Sequence, residues 1–135
     1  KKKKVPTKNL VALVIPKETQ FLMGQRPPDG LYGGLIEFPL VEIKNASANI
    51  SPQLRSFWAG IELQVAQGNF RHVLSHMRLE IQVYTASYSG AECPRLPDST
   101  YQQLRYVSES ELSDLGVSTL ATKVLRIYRA AQETI

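Results

Sequence analysis

The sequence predicts an α+β fold in which a mixed β-sheet is flanked by helices. Apolar runs of strand length recur along the chain and end at proline or glycine. An alternating pattern places Leu79, Ile81 and Val83 on one face of a strand. Two other segments space their apolar residues as helices do. In chain order these patterns predict the elements β-β-β-α-β-β-β-α-α.

The first three strands are predicted in the N-terminal third of the chain. Residues 9–15 are an almost continuous apolar run that a proline ends, and residues 20–25 form the second strand after a short hairpin connection. Residues 26–34 are predicted to be a loop because they are rich in proline and glycine. The strand pattern resumes over residues 35–43, where Pro39 indicates an edge strand or a bulge.

A helix is predicted next. Ser51 suits an N-cap, and Pro52 suits the first helical position. The apolar residues that follow recur at helical spacing and define one face of a helix of about four turns. These residues are Leu54, Phe57, Trp58, Ile61 and Val65. Gly68 is expected to end this helix.

The C-terminal part is predicted to hold a strand and two helices. Residues 102–107 form the strand, and Ser108 to Glu111 is a capping box that opens a short helix closed by Gly116. Ser118 caps the last helix. The apolar stripe of that helix is Leu120, Val124, Ile127, Tyr128 and Ala131. We expect its basic residues on the opposite, solvated face; they are Lys123, Arg126 and Arg129.

Basic charge is concentrated at the start of the chain. Five of the 16 Lys and Arg residues fall in the first eight positions, and residues 9–135 carry 11 basic and 12 acidic groups. A body this close to neutral makes only local contacts with nucleic acid. We predict a basic linker over residues 1–8, with a flexible arm near phosphates as the alternative, and a single domain over residues 9–135.

Several classes of site are excluded by the composition. The 12 acidic residues are scattered singly apart from the capping box, so no acid pair for catalysis is predicted. Two histidines and the lone Cys93 fall short of a zinc site and of a disulfide framework. No run approaches the ~20 apolar residues of a membrane span. We therefore predict no catalytic residue, no metal ligand and no membrane partner in this intracellular chain.

Polar side chains crowd the start of the alternating strand. Residues 70–88 are predicted to be extended and to hold two strands broken near Ser75 and His76. The hydrogen-bond donors of this stretch are Arg71, His72, His76 and Arg78, while Ser75 donates or accepts. Such side chains at the start of an anchored strand suit the reading of a ligand. An ordinary solvated strand edge is the alternative.

Two segments resemble the C-terminal domain of MutY-type adenine DNA glycosylases. Residues 26–39 resemble the loop and strand that lead to the Phe-Pro pair of that family. Residues 71–76, Arg-His-Val-Leu-Ser-His, are similar to its Phe-Ser-His loop with the preceding basic residues. Residues 116–120 and the basic helix behind them resemble its terminus. Leu74 stands where the family often has Phe, and Ile36 where it often has Trp.

This resemblance implies a Nudix-like fold without hydrolase chemistry, because the helix after Pro52 lacks the paired glutamates that hold magnesium. In the family, this domain recognises 8-oxoguanine opposite adenine in double-stranded DNA. A separate N-terminal domain with an iron–sulfur cluster removes the adenine. The chain is therefore expected to be a non-catalytic fragment of an adenine DNA glycosylase, acting in base excision repair in the cytoplasm or nucleoid of a bacterium or in a eukaryotic nucleus.

The resemblance also assigns the reading of 8-oxoguanine to three residues. Ser75 accepts from the N7 proton or donates to O8, His76 contacts the base edge or a nearby phosphate, and Leu74 makes the apolar contact. Weaker candidates for phosphate contacts are Arg71, His72 and Arg78. A nucleotide pyrophosphohydrolase of the Nudix type and a protein-interaction module are the two alternatives.

Overall fold

The computed structural model describes residues 5–29, 33–44, 50–55, 58–89, 101 and 103–133. The strands are β1 (Thr7–Val14), β2 (Pro16–Lys17), β3 (Gln20–Gln25), β4 (Ile36–Glu37), β5 (Leu40–Ile43), β6 (Ile61–Val73), β7 (Arg78–Tyr88) and β8 (Gln103–Ser108). The helices are α1 (Ile50–Arg55), α2 (Glu109–Leu112) and α3 (Thr119–Glu133). Within the described ranges, no helix has the length and apolar character needed to cross a bilayer.

The strands form two sheets. The first has the order β5-β1-β7-β6, in which β1 and β7 run parallel and the other neighbours are antiparallel. In the second sheet, β3 is paired antiparallel with β2, β4 and β8. The predicted α+β class, with mixed strands and flanking helices, is confirmed, although the strands are divided between two sheets.

The first sheet is covered on both faces. On one face, Leu120 and Val124 of α3 pack in a cluster with Ile81 and Val83 of β7. On the other face, Leu54 of α1 belongs to a second cluster that includes residues of β1 and β6. β7 lies between β1 and β6, with Leu79, Ile81 and Val83 buried on one face and the alternate residues near its start left partly or fully exposed. The β6–β7 hairpin is thereby a rigid support for whatever its turn presents.

The strand predicted over residues 35–43 is in fact two strands. β4 ends at Glu37 and β5 begins at Leu40, and the two belong to different sheets. Pro39 lies buried between them, and its carbonyl accepts a hydrogen bond from the Leu13 amide at 2.9 Å. Proline has no N–H to give to a ladder, so the chain passes from one sheet to the other at this point.

The long helix predicted after Pro52 is wrong beyond its first turns. α1 ends at Arg55, and the chain is a strand from Ile61 onwards. Gly60 has a φ of +88°, a conformation that glycine adopts readily, and it precedes β6 directly. The helical spacing does not describe a buried face here, because Val65 is 60% exposed. Pairing with β7 along most of β6 outweighs the local pattern.

The first strand begins slightly earlier than predicted. β1 begins at Thr7 rather than at residue 9, because Thr7 and Lys8 pair with Arg78 and Leu79 of β7. The first four lysines of the predicted linker lie outside the described residues, as does the lone Cys93.

The predicted capping box is confirmed. The Ser108 hydroxyl accepts from the Glu111 amide at 3.2 Å, and the Glu111 carboxylate accepts from the Ser108 amide at 3.2 Å. Ser118 likewise precedes α3 and its hydroxyl accepts from the Ala121 amide at 3.0 Å. Both helix starts therefore follow from local side-chain chemistry.

Candidate functional site

The β6–β7 hairpin ends in a tight turn that we call the reading turn, residues 74–77. Val73 and Arg78 form the last strand pair, and the Leu74 amide donates to the Met77 carbonyl at 2.8 Å. The Arg78 amide donates to the Pro6 carbonyl at 2.8 Å, which ties the turn to the chain before β1. Backbone hydrogen bonds on both sides therefore hold this turn in place.

The side chains of the reading turn divide into an inner and an outer pair. Leu74 and Met77 are half-buried and pack against the cluster beneath α3. Ser75 and His76 are exposed at the tip, where the Ser75 hydroxyl lies 3.1 Å from His76 Nδ1. The structure thus brings the two predicted polar readers into direct contact on the surface, while Leu74 anchors the turn.

Alternation along β6 separates the neighbouring basic residues. Arg71 is exposed on one face and forms an ion pair with Glu80, its partner across the β7 ladder. His72 lies on the opposite face, where its Nδ1 is 3.0 Å from Lys123 Nζ of α3. Two of the predicted phosphate candidates, Arg71 and His72, therefore lie on different faces of β6.

Arg78 is the first residue of β7. It pairs with Val73 of β6, and the two side chains lie on the same face of the sheet. The Arg78 side chain is exposed, and no carboxylate of the described residues forms an ion pair with it. Val73 is 64% exposed. A cation and an apolar side chain are thus presented together beside the turn.

Lys123 lies beside His72 and Phe70 of β6, a position that the sequence pattern does not predict. It was expected on a solvated helix face, yet it is half-buried, and its ammonium lies 5.8 Å from the centre of the Phe70 ring. Burial, and then the charge of Lys123, lower the pKa of His72 below its usual 6.5. His72 is therefore neutral near pH 7 and accepts a hydrogen bond from the lysine. A separation of 51 residues hides this contact from sequence patterns.

The other two basic residues of α3 have different surroundings. Arg129 forms an ion pair with Glu109 of α2 at 3.4 Å, whereas Arg126 is exposed. The predicted solvated face of α3 is therefore partly used in contacts within the chain.

The buried carboxylate of Glu37, in β4, contacts the residue that precedes α3. Glu37 is 1% exposed and accepts from Arg26 Nη2 at 2.8 Å, from the Tyr101 hydroxyl at 2.7 Å and from the Ser118 hydroxyl at 3.2 Å. Burial, and then the charge of Glu37, raise the pKa of Tyr101 well above its usual 10.0. Because Ser118 also caps α3, this network fixes the helix that carries Lys123.

The described residues form no candidate metal site. No group of three or more His, Cys, Asp or Glu side chains converges among them to hold an ion. The helix α1 has the sequence Ile-Ser-Pro-Gln-Leu-Arg, which contains no carboxylate. Hard divalent cations require several oxygen ligands, which this helix does not supply.

The chain is similar in sequence to adenine DNA glycosylases. The chain is 32% identical to the adenine DNA glycosylase of Rattus norvegicus over 113 residues, which are 79% of this chain and 21% of that protein. It is 33% identical to the adenine DNA glycosylase of Homo sapiens over 123 residues, which are 84% of this chain and 21% of that protein. The chain thus spans about a fifth of the length of these relatives, 21% in each case.

Solved structures share the fold of this chain. The C-terminal domain of mouse MUTYH, whose structure was determined in complex with human PCNA, is similar with a TM-score of 0.63 and 25% identity, over 95% of this chain and 91% of that chain. The MutT protein from Methanosarcina mazei Go1 has a TM-score of 0.68 at 12% identity, over 96% of this chain and 98% of that chain, and so shares the fold. The match to the family described as NUDIX domain extends over residues 10–126, and the chain therefore belongs to the NUDIX domain family.

Proposed function

We propose that this chain is the lesion-reading domain of an adenine DNA glycosylase and that it recognises 8-oxoguanine opposite adenine in double-stranded DNA. The observation that carries the proposal is the exposed Ser75–His76 pair at the tip of an anchored hairpin. The similarity to adenine DNA glycosylases supports it. A rigid polar tip suits the reading of a base edge, because little conformational entropy is lost when it binds.

The contact between the two side chains gives the discrimination a physical basis. When Nε2 of His76 carries the ring proton, Nδ1 accepts a hydrogen bond from the Ser75 hydroxyl. The Ser75 oxygen then presents only lone pairs to the DNA. It accepts from N7–H of 8-oxoguanine and meets the lone pair of N7 in guanine. Leu74 fixes the turn from the inside and leaves only part of its side chain for apolar contact with the base stack.

Catalysis is assigned to a separate domain. We propose that the chain itself is non-catalytic and that an N-terminal domain with an iron–sulfur cluster flips and removes the adenine. The reading domain supplies the preference for damaged pairs. This role places the protein with DNA, in the cytoplasm or nucleoid of a bacterium or in a eukaryotic nucleus.

The two alternatives receive less support. A Nudix-type pyrophosphohydrolase needs carboxylates that hold magnesium, and α1 offers none. A protein-interaction module that uses the basic residues of α3 is weakened because Lys123 and Arg129 make contacts within the chain. Release of pyrophosphate from nucleoside triphosphates with magnesium would restore the first alternative.

The decisive experiment compares two labelled duplexes that differ in one base, with 8-oxoguanine or guanine opposite adenine. Binding of the chain is followed by fluorescence anisotropy at low salt. One good base contact gives about 1–3 kcal/mol of discrimination, so the wild-type chain should prefer the lesion by about 5-fold to 150-fold. Replacement of Ser75 by Ala should bring the ratio of the two dissociation constants close to one.

The matched control is Ser87→Ala. Ser87 is exposed near the far end of β7, away from the reading turn, so its replacement should leave the ratio unchanged. The proposal fails if the wild-type chain binds both duplexes equally. It fails equally if Ser75→Ala keeps the full preference.

A further inference from the structure

The basic side chains around the reading turn differ in how their charge is compensated. Arg71 is neutralised by Glu80, whereas Arg78 is exposed and has no carboxylate partner among the described residues. Lys123 has no carboxylate at ion-pair distance within the described ranges. It is therefore a half-buried cation without a counter-charge from this part of the chain.

Contacts with two neutral groups hold the ammonium of Lys123 in place. His72 Nδ1 lies 3.0 Å from Nζ, and the centre of the Phe70 ring lies 5.8 Å from Nζ. A neutral imidazole orients the ammonium but leaves its full positive charge, and the negative face of the aromatic ring attracts it. The side chain has thus lost much of its rotamer freedom before any anion arrives, which lowers the entropic cost of binding one.

We propose that Lys123 binds a backbone phosphate of the DNA strand that carries the base read by Ser75. His72 is the positioning residue that holds the lysine ammonium for this contact. The inference rests on the proposed function and adds to it a specific phosphate subsite. It reassigns the anion contact from the arginine and histidine of β6 to a residue of α3.

The spacing fits one strand of duplex DNA. His72 precedes Ser75 by three residues, which at about 3.3 Å per residue places their Cα atoms at most about 10 Å apart, and the lysine ammonium lies 3.0 Å beyond the His72 ring. Phosphates of one strand of B-DNA follow each other at about 3.4 Å along the helix axis. The phosphate bound by Lys123 is therefore expected within a few nucleotides of the base that Ser75 reads.

The test is the salt dependence of DNA binding by the chain. Loss of one phosphate contact should reduce the slope of log Kobs against log salt concentration by about 0.9 in magnitude. We expect this reduction for Lys123→Gln with both the 8-oxoguanine duplex and the guanine duplex. The ratio of the two affinities should stay at its wild-type value, because a phosphate contact carries no information about the base. Lys123→Arg should retain the wild-type slope.

The matched control is Lys17→Gln. Lys17 also lies over an aromatic ring, 4.9 Å from the centre of Tyr106, but it belongs to the second sheet. Its replacement removes the same charge and should leave the slope unchanged. Two changes at His72 test its positioning role. His72→Gln keeps a hydrogen-bond acceptor and should retain the slope, whereas His72→Phe should lose part of it.

The outcomes separate the two proposals. If the wild-type chain prefers the 8-oxoguanine duplex but Lys123→Gln keeps the full slope, the phosphate subsite is refuted and the lesion-reading function stands. If Lys17→Gln reduces the slope as much as Lys123→Gln, the effect is one of net charge and the subsite is also refuted. If the wild-type chain shows no preference at all, the proposed function fails independently of Lys123.

Discussion

Replacement of Glu37 by Gln tests whether the buried network beneath the site is a main source of stability. The change keeps the shape of the side chain and removes its charge. Arg26 then loses its carboxylate partner at 2.8 Å, and the Tyr101 hydroxyl at 2.7 Å loses a charged acceptor. Hydrogen bonds to charged groups are stronger than neutral ones, so the amide compensates only in part.

The expected size follows from the burial of the two partners. Removing one member of a buried ion pair costs about 3–5 kcal/mol. Glu37 is 1% exposed, but the side chain of Arg26 keeps 20% exposure and some hydration. We therefore expect the lower end, about 3 kcal/mol of unfolding free energy. With about 2.1 cal/mol/K of unfolding entropy per residue, a chain of 135 residues should lose about 10 °C in Tm.

The assay is urea unfolding followed by circular dichroism, with a thermal scan as the second measurement. The midpoint should fall while the m-value stays constant, because the folded state keeps its compactness. Glu42→Gln is the control, since Glu42 is 60% exposed and 3.9 Å from Lys8, and it should change the stability by no more than about 0.5 kcal/mol. A loss below about 1 kcal/mol for Glu37→Gln would refute the reasoning, because it would mean that the buried charge contributes no more than an ordinary hydrogen bond.

Two further outcomes are expected. Burial and the charge of Lys123 lower the pKa of His72 from 6.5, so between pH 6.5 and the lowered pKa the unfolded chain binds a proton that the folded chain does not. The stability of the fold is therefore complete above pH 6.5 with respect to this group. It is lost progressively as the pH falls from 6.5 towards the lowered pKa. Urea unfolding between pH 7.5 and pH 5 should show this loss in the wild-type chain and a smaller one in His72→Gln. Gly24→Ala should destabilise the fold by about 1–3 kcal/mol, because a Cβ there would lie 2.6 Å from Cγ of Tyr101, whose hydroxyl is fixed by Glu37. A thermal scan that shows an unchanged Tm for Gly24→Ala would contradict this.

Several local signals predict the structure correctly, although α1 begins at Ile50 and not after an N-cap at Ser51. The capping box at Ser108 and the N-cap at Ser118 depend on side chains that reach amides three residues away. The break between β6 and β7 follows from the polar pair Ser75-His76 ahead of an alternating strand. These features need no knowledge of the rest of the chain, because the groups that form them are neighbours in sequence.

The helix predicted after Pro52 shows where such reasoning stops. A spacing of three and four between apolar residues is also compatible with a strand that is buried only at one end. β6 is such a strand, because only its first residue, Ile61, is buried. Which structure forms is decided by whether a partner strand stands beside the chain. That partner is β7, whose place in the sheet is set by its parallel pairing with β1, about 70 residues earlier in the chain.

The amino-acid sequence by itself determined which residues form the exposed polar tip and which patterns start the C-terminal helices. Only the tertiary structure decided that Lys123 stands beside His72 and that Glu37 binds Tyr101 and Ser118, over separations of 51, 64 and 81 residues. The physical reason is the range of the interactions. Turns and caps are set by bonds between near neighbours, whereas charge compensation depends on which distant side chains the folded sheets bring within hydrogen-bonding distance.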